Sequence, residues 1–326
     1  MTPIRVAVNL TWLDPGRVGG SEEYLTRQLR GLDRSVIEPT LFCSPSFARA
    51  HADVTSDHAV EPMPGGRWVK GRAGRLVVEH TWLAARTRGF DLVHHGGGTA
   101  PLIGRRPIVL TVHDLQYLVF PDFFSKARRR YLELVVPRSI DRAAVVAVPT
   151  ETVRQHVLES FAVSEDRVVV VTHGVPDPPA LTSEDIARVR QRYGIEGGPF
   201  ALYPAISHPH KRHGVLIEML DHLDDTTTLV LIGGTGGAED RLRHSIRSSR
   251  HGHRIIRPGR VTTTERDALL AGADVMLFPS RFEGFGAPLV EAMAAGTPVV
   301  CSDAAAVREV VGDAAIVVDG DGEAEA

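Results

Sequence analysis

Short runs of apolar residues alternate along the chain with longer stretches in which apolar positions recur every three or four residues. Runs of the first kind suit strands buried on both faces, and stretches of the second kind suit helices with one apolar side. Their regular alternation is the pattern of βα units around parallel sheets. In the first half it predicts strands over Arg5–Leu10, Val36–Phe42, Leu92–His95, Ile108–Val112, Val145–Val148 and Val168–Val171. Helices are predicted over Ser21–Gly31, Gly71–Arg86, Ser125–Ile140 and Thr150–Phe161, with Ser21 and Thr150 placed to cap theirs. A Pro-rich segment, Gly174–Ala180, then breaks the pattern. A second α/β set follows. Its strands are predicted at Phe200–Tyr203, Leu229–Ile232, Arg254–Ile256, Val275–Phe278, Val299–Cys301 and Ala315–Val318. Its helices are predicted at Thr182–Tyr193, Arg212–Leu223, Glu239–Ser248, Thr263–Ala271, Ala287–Ala295 and Ala305–Val311. The expected organisation is α/β: a Rossmann-like domain over residues 1–174, a linker over 175–182 and a second Rossmann-like domain over 183–326, with a ligand held in a cleft that both parallel sheets face.

Composition narrows the function without choosing it. At 326 residues the chain fits two domains of ordinary size, and 43% hydrophobic with 24% charged residues is the usage of a globular protein. A net charge of -3 gives no case for nucleic acid as a partner. Cys43 and Cys301 lie far apart, which is not a disulfide framework, and no apolar run approaches membrane-spanning length. The opening MTPIRVAVNL reads as a strand and not as a signal peptide, so a cytoplasmic location is expected.

The most informative stretch is Phe278–Asp303, FPSRFEGFGAPLVEAMAAGTPVVCSD. It reads as strand, Gly-punctuated turn, helix and strand, with Gly284 and Gly286 allowing close backbone approach and Pro288 in the first helical turn. Free N–H groups and the helix dipole make that turn an anion site suited to phosphate. Glu283 precedes the helix and Glu291 lies about one turn into it, so both carboxylates are expected to face one crevice. A diphosphate between two hydroxyl-binding carboxylates describes a nucleotide sugar. Four further features join it. Gly19-Gly20 lie in the loop after the first strand, where backbone N–H groups can meet a phosphate or an acceptor hydroxyl, though no G-x-G-x-x-G follows that strand. His113-Asp114 end a buried strand, His113 being able to donate to a sugar hydroxyl or carry a proton and Asp114 serving to orient the loop. Lys211, in AISHPHKRH, would set an ammonium over a diphosphate. Gly233–Gly237 is either a phosphate cradle or a flexible loop.

The Glu283-to-Glu291 string closely resembles the signature of the family-four retaining glycosyltransferases, whose glutamates stand eight positions apart around a GFG core. His113-Asp114 resemble that family's T-x-H-D-L segment, Lys211 its P-x-K element, Gly19-Gly20 its GG-x-E loop, and Gly259-Arg260-Val261 its G-x-V turn. The resemblance implies a two-domain glycosyltransferase-B fold and metal-independent transfer of a hexose, mannose or rhamnose, from a nucleoside diphosphate to a hydroxyl of a glycan, lipid-linked or small-molecule acceptor. It implies Glu283 on the donor sugar, Glu291 on the ribose and Lys211 on the diphosphate. It further implies the amides of Gly284, Phe285 and Gly286 on sugar and phosphate, Arg260 and Val261 at the base, and His113 at the sugar's far edge. No cofactor is implied beyond the donor itself.

The chain departs from the family pattern in two places. The Arg usual five residues before the Lys is here Ile206, leaving His208, His210 or Arg212 to substitute. The closing helices expected after Val307–Asp319 are not supplied by DGDGEAEA. Evidence for a metal site is poor, since the Asp319–Asp321 pair lies in that acidic tail and the fifteen histidines show no H-E-x-x-H spacing. Lys126–Arg142 is a basic amphipathic helix, suited either to anionic lipid or to a solvated face. Two other functions stay open on the residues alone: a sugar-nucleotide epimerase of the same fold, and a non-catalytic relative that binds nucleotide or glycan.

Overall fold

The apolar runs become the interior strands of two parallel sheets. A computed structural model describes residues 2–16, 19–65, 71–104, 107–195 and 197–319, and the chain divides into two units, Met1–Gly174 and Val175–Ala326. Residues 171–182, around the Pro-rich segment, carry no regular structure. Asp321 and the rest of the acidic tail lie outside the described residues.

In the first unit the described strands are β1 (Ile4–Leu10), β2 (Ile37–Cys43), β3 (Ala59–Pro62), β4 (Leu92–His95), β5 (Ile108–Thr111), β6 (Val145–Val148) and β7 (Val168–Val170). They order as β3-β2-β1-β4-β5-β6-β7, every pair parallel. In the second unit they are β8 (Phe200–Pro204), β9 (Thr228–Ile232), β10 (Ile255–Gly259), β11 (Val275–Phe278), β12 (Val299–Ser302) and β13 (Ile316–Val318), ordered β10-β9-β8-β11-β12-β13. Each order reverses once, between β1 and β4 and between β8 and β11. Those reversals open a crevice at the carboxyl ends of the strands, where open α/β sheets take their ligands. The central strands are sealed on both faces: Leu10, Leu41, Leu202, Leu229 and Met276 are all fully buried.

Several helix starts follow side-chain chemistry. Thr150 Oγ1 accepts from Val153 N, and Thr182 and Thr262 form reciprocal capping boxes with Asp185 and Glu265. Ser21 does not cap. The helix Gly20–Arg30 starts one residue earlier with Gly19 at the cap position, so Ser21 is already inside it. The predicted helix Gly71–Arg86 also differs in kind. It is α-helical over Arg72–Val78 and Ala84–Arg86, with a π turn at Glu79–Leu83 between them. No described helix is long and apolar enough to cross a membrane.

Candidate functional site

The loops after β8 and β11 face each other across the second unit's reversal point. After β8 the chain makes a tight turn at Pro209–Lys211 and enters the helix His213–Met219 through Arg212. Arg212 is held at φ 50, and it is the one non-glycine residue with positive φ among those described. Such strain persists only where its surroundings enforce it. Here Arg281 N donates to His210 O (2.9 Å), tying the β11 loop to the β8 loop. Below them the buried Tyr203 hydroxyl donates to Lys211 O (3.0 Å). Its one proton is then used, so it accepts from Ser280 Oγ at 3.0 Å. Lys211 Nζ donates to Glu283 Oε1, joining side chains 72 positions apart in sequence that are only 17% and 11% exposed. Phe278 presents its ring 5.7 Å from the same ammonium.

The turn before the Glu291 helix depends on glycine at one point. Gly286 is left-handed at φ 86, and a Cβ there would stand 2.7 Å from Leu289 Cδ1. The helix Ala287–Ala294 follows with Pro288 in its first turn, as the sequence indicates. Glu291 is buried on it with Arg266 Nη1 at 3.8 Å. Each glutamate of the pair thus has its own cation, Lys211 for Glu283 and Arg266 for Glu291.

The glycine loop after β9 is closely packed at Gly233 and Gly236 and open at Gly237. A Cβ on Gly233 would collide with Ala205 O, and one on Gly236 would stand 2.6 Å from Ser207 O. The two loops are pinned by a buried ionic network. Ser207 Oγ accepts from Gly236 N (2.8 Å) and donates to Glu239 Oε2 (2.6 Å), which also accepts from Arg257 Nη2 (2.6 Å). Burial opposes ionisation of Glu239, but hydrogen bonds from Arg257, Ser207 and Arg243 outweigh it and hold the carboxyl at about 2. Arg260 lies exposed with its guanidinium against Gly234, while Val261 packs on the core. Among the possible substitutes for the missing arginine, His210 carries no charge at neutral pH. Burial, then the neighbouring Lys211, pushes it down to about 3.

In the first unit His113 follows β5, and its Nε2–H donates to Gly96 O (2.8 Å) in the loop after β4. A carbonyl can only accept, so the neutral ring keeps its proton on Nε2 and offers Nδ1 as an acceptor. Burial lowers its basicity further. The Nε2 proton is thus committed to Gly96 O and is not free to donate elsewhere, as the position of the residue alone suggests it could. Tyr24, on the helix after Gly19-Gly20, meets it edge-on at 5.3 Å. Asp114 Oδ1 accepts from Gln116 N (2.9 Å) and so shapes the loop, as expected.

Sequence reasoning misses Arg266, Tyr203, Ser207 and the Glu239–Arg257 pair. Arg266 sits in the first turn of a capped helix, a place that ordinarily reads as solvated. The others are single polar residues whose partners lie many positions away. Among the described residues no group of three or more His, Cys, Asp or Glu side chains is placed to hold a metal ion.

The model of Glycosyltransferase Family 4 matches residues 18–177, and that of Glycosyl transferases group 1 matches residues 185–326. O-antigen chain mannosyltransferase B of Escherichia coli is 31% identical over 221 residues, covering 65% of this chain and 57% of its own length. O-antigen chain mannosyltransferase RfbU of Salmonella typhimurium is 25% identical over 308 residues, 90% of this chain and 80% of its own. The chain thus spans little more than half the length of the first of these relatives. The crystal structure of Anabaena Alr3699/HepE in complex with UDP and glucose matches with a TM-score of 0.77 at 21% identity, covering 98% of this chain and 86% of that one. At that identity the likeness is one of fold.

Proposed function

Because this chain belongs to the family-four glycosyltransferases and has their glycosyltransferase-B fold, we propose that it transfers a hexose from a nucleoside diphosphate to an acceptor hydroxyl, with retained anomeric configuration and without a metal. One observation carries the reading: Lys211 and Glu283 meet from loops on opposite sides of the β8/β11 reversal. An ammonium suits phosphate, a carboxylate suits sugar hydroxyls, and a ligand bearing both groups is a sugar nucleotide. UDP in the Anabaena structure supports a nucleoside diphosphate here. The names of the two O-antigen relatives support mannose as the hexose, with rhamnose as the other candidate.

In this reading Glu283 accepts hydrogen bonds from the donor sugar and Glu291 from the ribose. The amides of Gly284, Phe285 and Gly286 lie along sugar and phosphate, and Arg260 and Val261 border the base. His113 Nδ1 accepts from the sugar's far edge, and Gly19-Gly20 meet the phosphate or the incoming hydroxyl. As the glycosidic bond breaks, negative charge grows on the leaving phosphate, and Lys211 with the N–H groups before Ala287 stabilises it. The departing phosphate oxygen takes the acceptor's proton. His113, held neutral and weakly basic, is suited to hydrogen bonding and not to proton abstraction. The reaction would take place in the cytoplasm. Contact with anionic lipid would run through Lys126, Arg128, Arg129 and Arg130, near the exposed Phe123 and Leu134.

Glu291→Ala should weaken nucleoside diphosphate binding about ten- to a hundredfold, the loss expected for hydrogen bonds to a charged acceptor. An unchanged dissociation constant removes Glu291 from the ribose. Because Lys211 and a helix N-terminus do the cation work, transfer should continue in EDTA. Activity abolished by the chelator and restored by magnesium or manganese would contradict that assignment. The reading as a whole is tested by incubating the chain with nucleoside diphosphate hexoses and hydroxyl acceptors, then reading the product's anomeric configuration by NMR. A product of inverted configuration rejects the retaining mechanism.

A further inference from the structure

Arg212 is held left-handed, at φ 50 and ψ 41, between the Pro209–Lys211 turn and the helix His213–Met219. A residue with a side chain keeps that conformation only where other contacts enforce it. Two such contacts meet on one peptide unit, the one that joins Lys211 to Arg212. Its N–H, on Arg212, donates to Pro209 O (3.2 Å), a bond internal to the turn. Its carbonyl, Lys211 O, accepts from the Tyr203 hydroxyl (3.0 Å), which reaches it from β8. Turning this peptide toward the right-handed form swings the carbonyl away from the phenol. The tyrosine hydrogen bond therefore opposes that turn directly.

The phenol is suited to this task. It is fully buried, on a ring that meets Phe278 edge-on at 5.8 Å and His213 at 4.9 Å. Burial, then the nearby Glu283 charge, raises it well above the usual tyrosine range, so the proton stays on the oxygen. With that proton given to Lys211 O, the phenol oxygen accepts from Ser280 Oγ (3.0 Å), and Ser280 O in turn accepts from Ser302 Oγ. Ser280 stands shortly before Glu283 on the other loop. One hydroxyl thus fixes both the turn that carries the Lys211 ammonium and the start of the loop that carries the Glu283 carboxylate. Sealed from solvent, it acts on a ligand only through them.

We propose that Tyr203 is a positioning residue for transfer: its hydroxyl locks the left-handed turn at Arg212 and so aims the Lys211 ammonium at the leaving phosphate. The aim at phosphate rests on the transferase reading, whereas the locking of the turn does not.

Tyr203→Phe keeps the ring and removes only the lock. Its kcat should fall about ten- to a hundredfold, as expected when a catalytic group shifts by about 1 Å. Nucleoside diphosphate dissociation constants should stay within about threefold, because the aim of the ammonium matters most once phosphate charge has grown. Ser280→Ala leaves the bond to Lys211 O in place and should cost less than about threefold in kcat. A double-mutant cycle separates positioning from general loosening. If Tyr203 acts through the ammonium, Tyr203→Phe should lower kcat no further once Lys211→Ala has been made. Hydrogen exchange supplies a readout that needs no transfer. In Tyr203→Phe the amides of Lys211, Arg212 and Arg281, which close this turn, should exchange about tenfold faster, while those of β9 stay unchanged. Should Tyr203→Phe fail to fold, Tyr203→Phe/Ser280→Ala carries the same comparisons, since it leaves one buried hydroxyl fewer without a partner.

The proposal is overturned if kcat is unchanged, if nucleoside diphosphate binding weakens as much as kcat falls, or if Ser280→Ala costs as much as Tyr203→Phe. It is overturned equally if the Tyr203 and Lys211 substitutions add in full, or if exchange at the turn is unaltered. Faster exchange in a chain that neither transfers nor binds a nucleoside diphosphate would instead reject the transferase reading and leave Tyr203 as the lock of the turn.

Discussion

Lys211→Ala should lower turnover about a hundred- to a thousandfold while weakening donor binding much less, because the phosphate charge it meets grows toward the transition state. Beside Lys211 the loop keeps one other full cation, Arg212. Ile206 occupies the place of the family's arginine, and His210 stays neutral at about 3. Removing the ammonium also leaves Glu283 with its carboxylate 11% exposed and without this partner, which disturbs the group proposed to hold the donor sugar. Lys211→Arg should recover only part of the loss, since a planar guanidinium does not replace a compact ammonium in a tight turn. Steady-state kcat and donor KM decide the case. A fall in kcat of less than about tenfold would assign the leaving-group charge to another residue.

Acid should destabilise the protein well above the pH at which its carboxylates titrate. Burial is the largest cause of lowered basicity at His94 and His213, both held at about 4, and at His95, His173 and His210, all held at about 3. His113 is lowered as well, again chiefly by burial. In the unfolded chain these rings take up protons near the ordinary 6.5, whereas the folded chain keeps His94, His213, His95, His173 and His210 neutral down to about 4 or below and lowers His113 in the same direction. Between those values the unfolded state binds more protons, so the stabilisation is complete above 6.5 and is lost as the pH falls. Each ring costs up to about 1.4 kcal/mol per pH unit across that window, against a total stability on the order of 5–15 kcal/mol. Glu79 opposes the trend, because its raised carboxyl favours the fold as acid is added, but it is one group against six. Urea midpoints of both units should therefore drop sharply between pH 7 and pH 5, with slopes unchanged. Equal midpoints would mean that these histidines are protonated within the fold.

The strands were legible because a strand buried on both faces must be an unbroken apolar run, and Leu92–His95, Val145–Val148 and Val275–Phe278 occupy the predicted spans. β3 was not legible for the complementary reason. It is an edge strand of four residues, Ala59–Pro62, half exposed and ending in a proline that an edge tolerates. The π turn at Glu79 escapes periodicity because it spans only Glu79–Leu83 inside an otherwise helical stretch. At the site, Glu283, Glu291, Lys211 and His113 stand out through their local strings. Contact between Lys211 and Glu283, the placing of Arg266 beside Glu291, and the hydrogen bonds that join Asn9 and Thr11 to Glu79 all depend on packing between distant segments. No local pattern encodes such contacts.

The central claim is that the Lys211–Glu283 pair marks the donor site, and a calorimetric titration of nucleoside diphosphates and their hexose derivatives tests it most directly. One nucleoside diphosphate should bind saturably, and its hexose derivative should bind more tightly. Glu283→Gln should remove the advantage of the sugar while leaving nucleoside diphosphate binding within about threefold. If no nucleoside diphosphate binds, or if Glu283→Gln keeps the full preference for the sugar-bearing form, the pair is not the donor site.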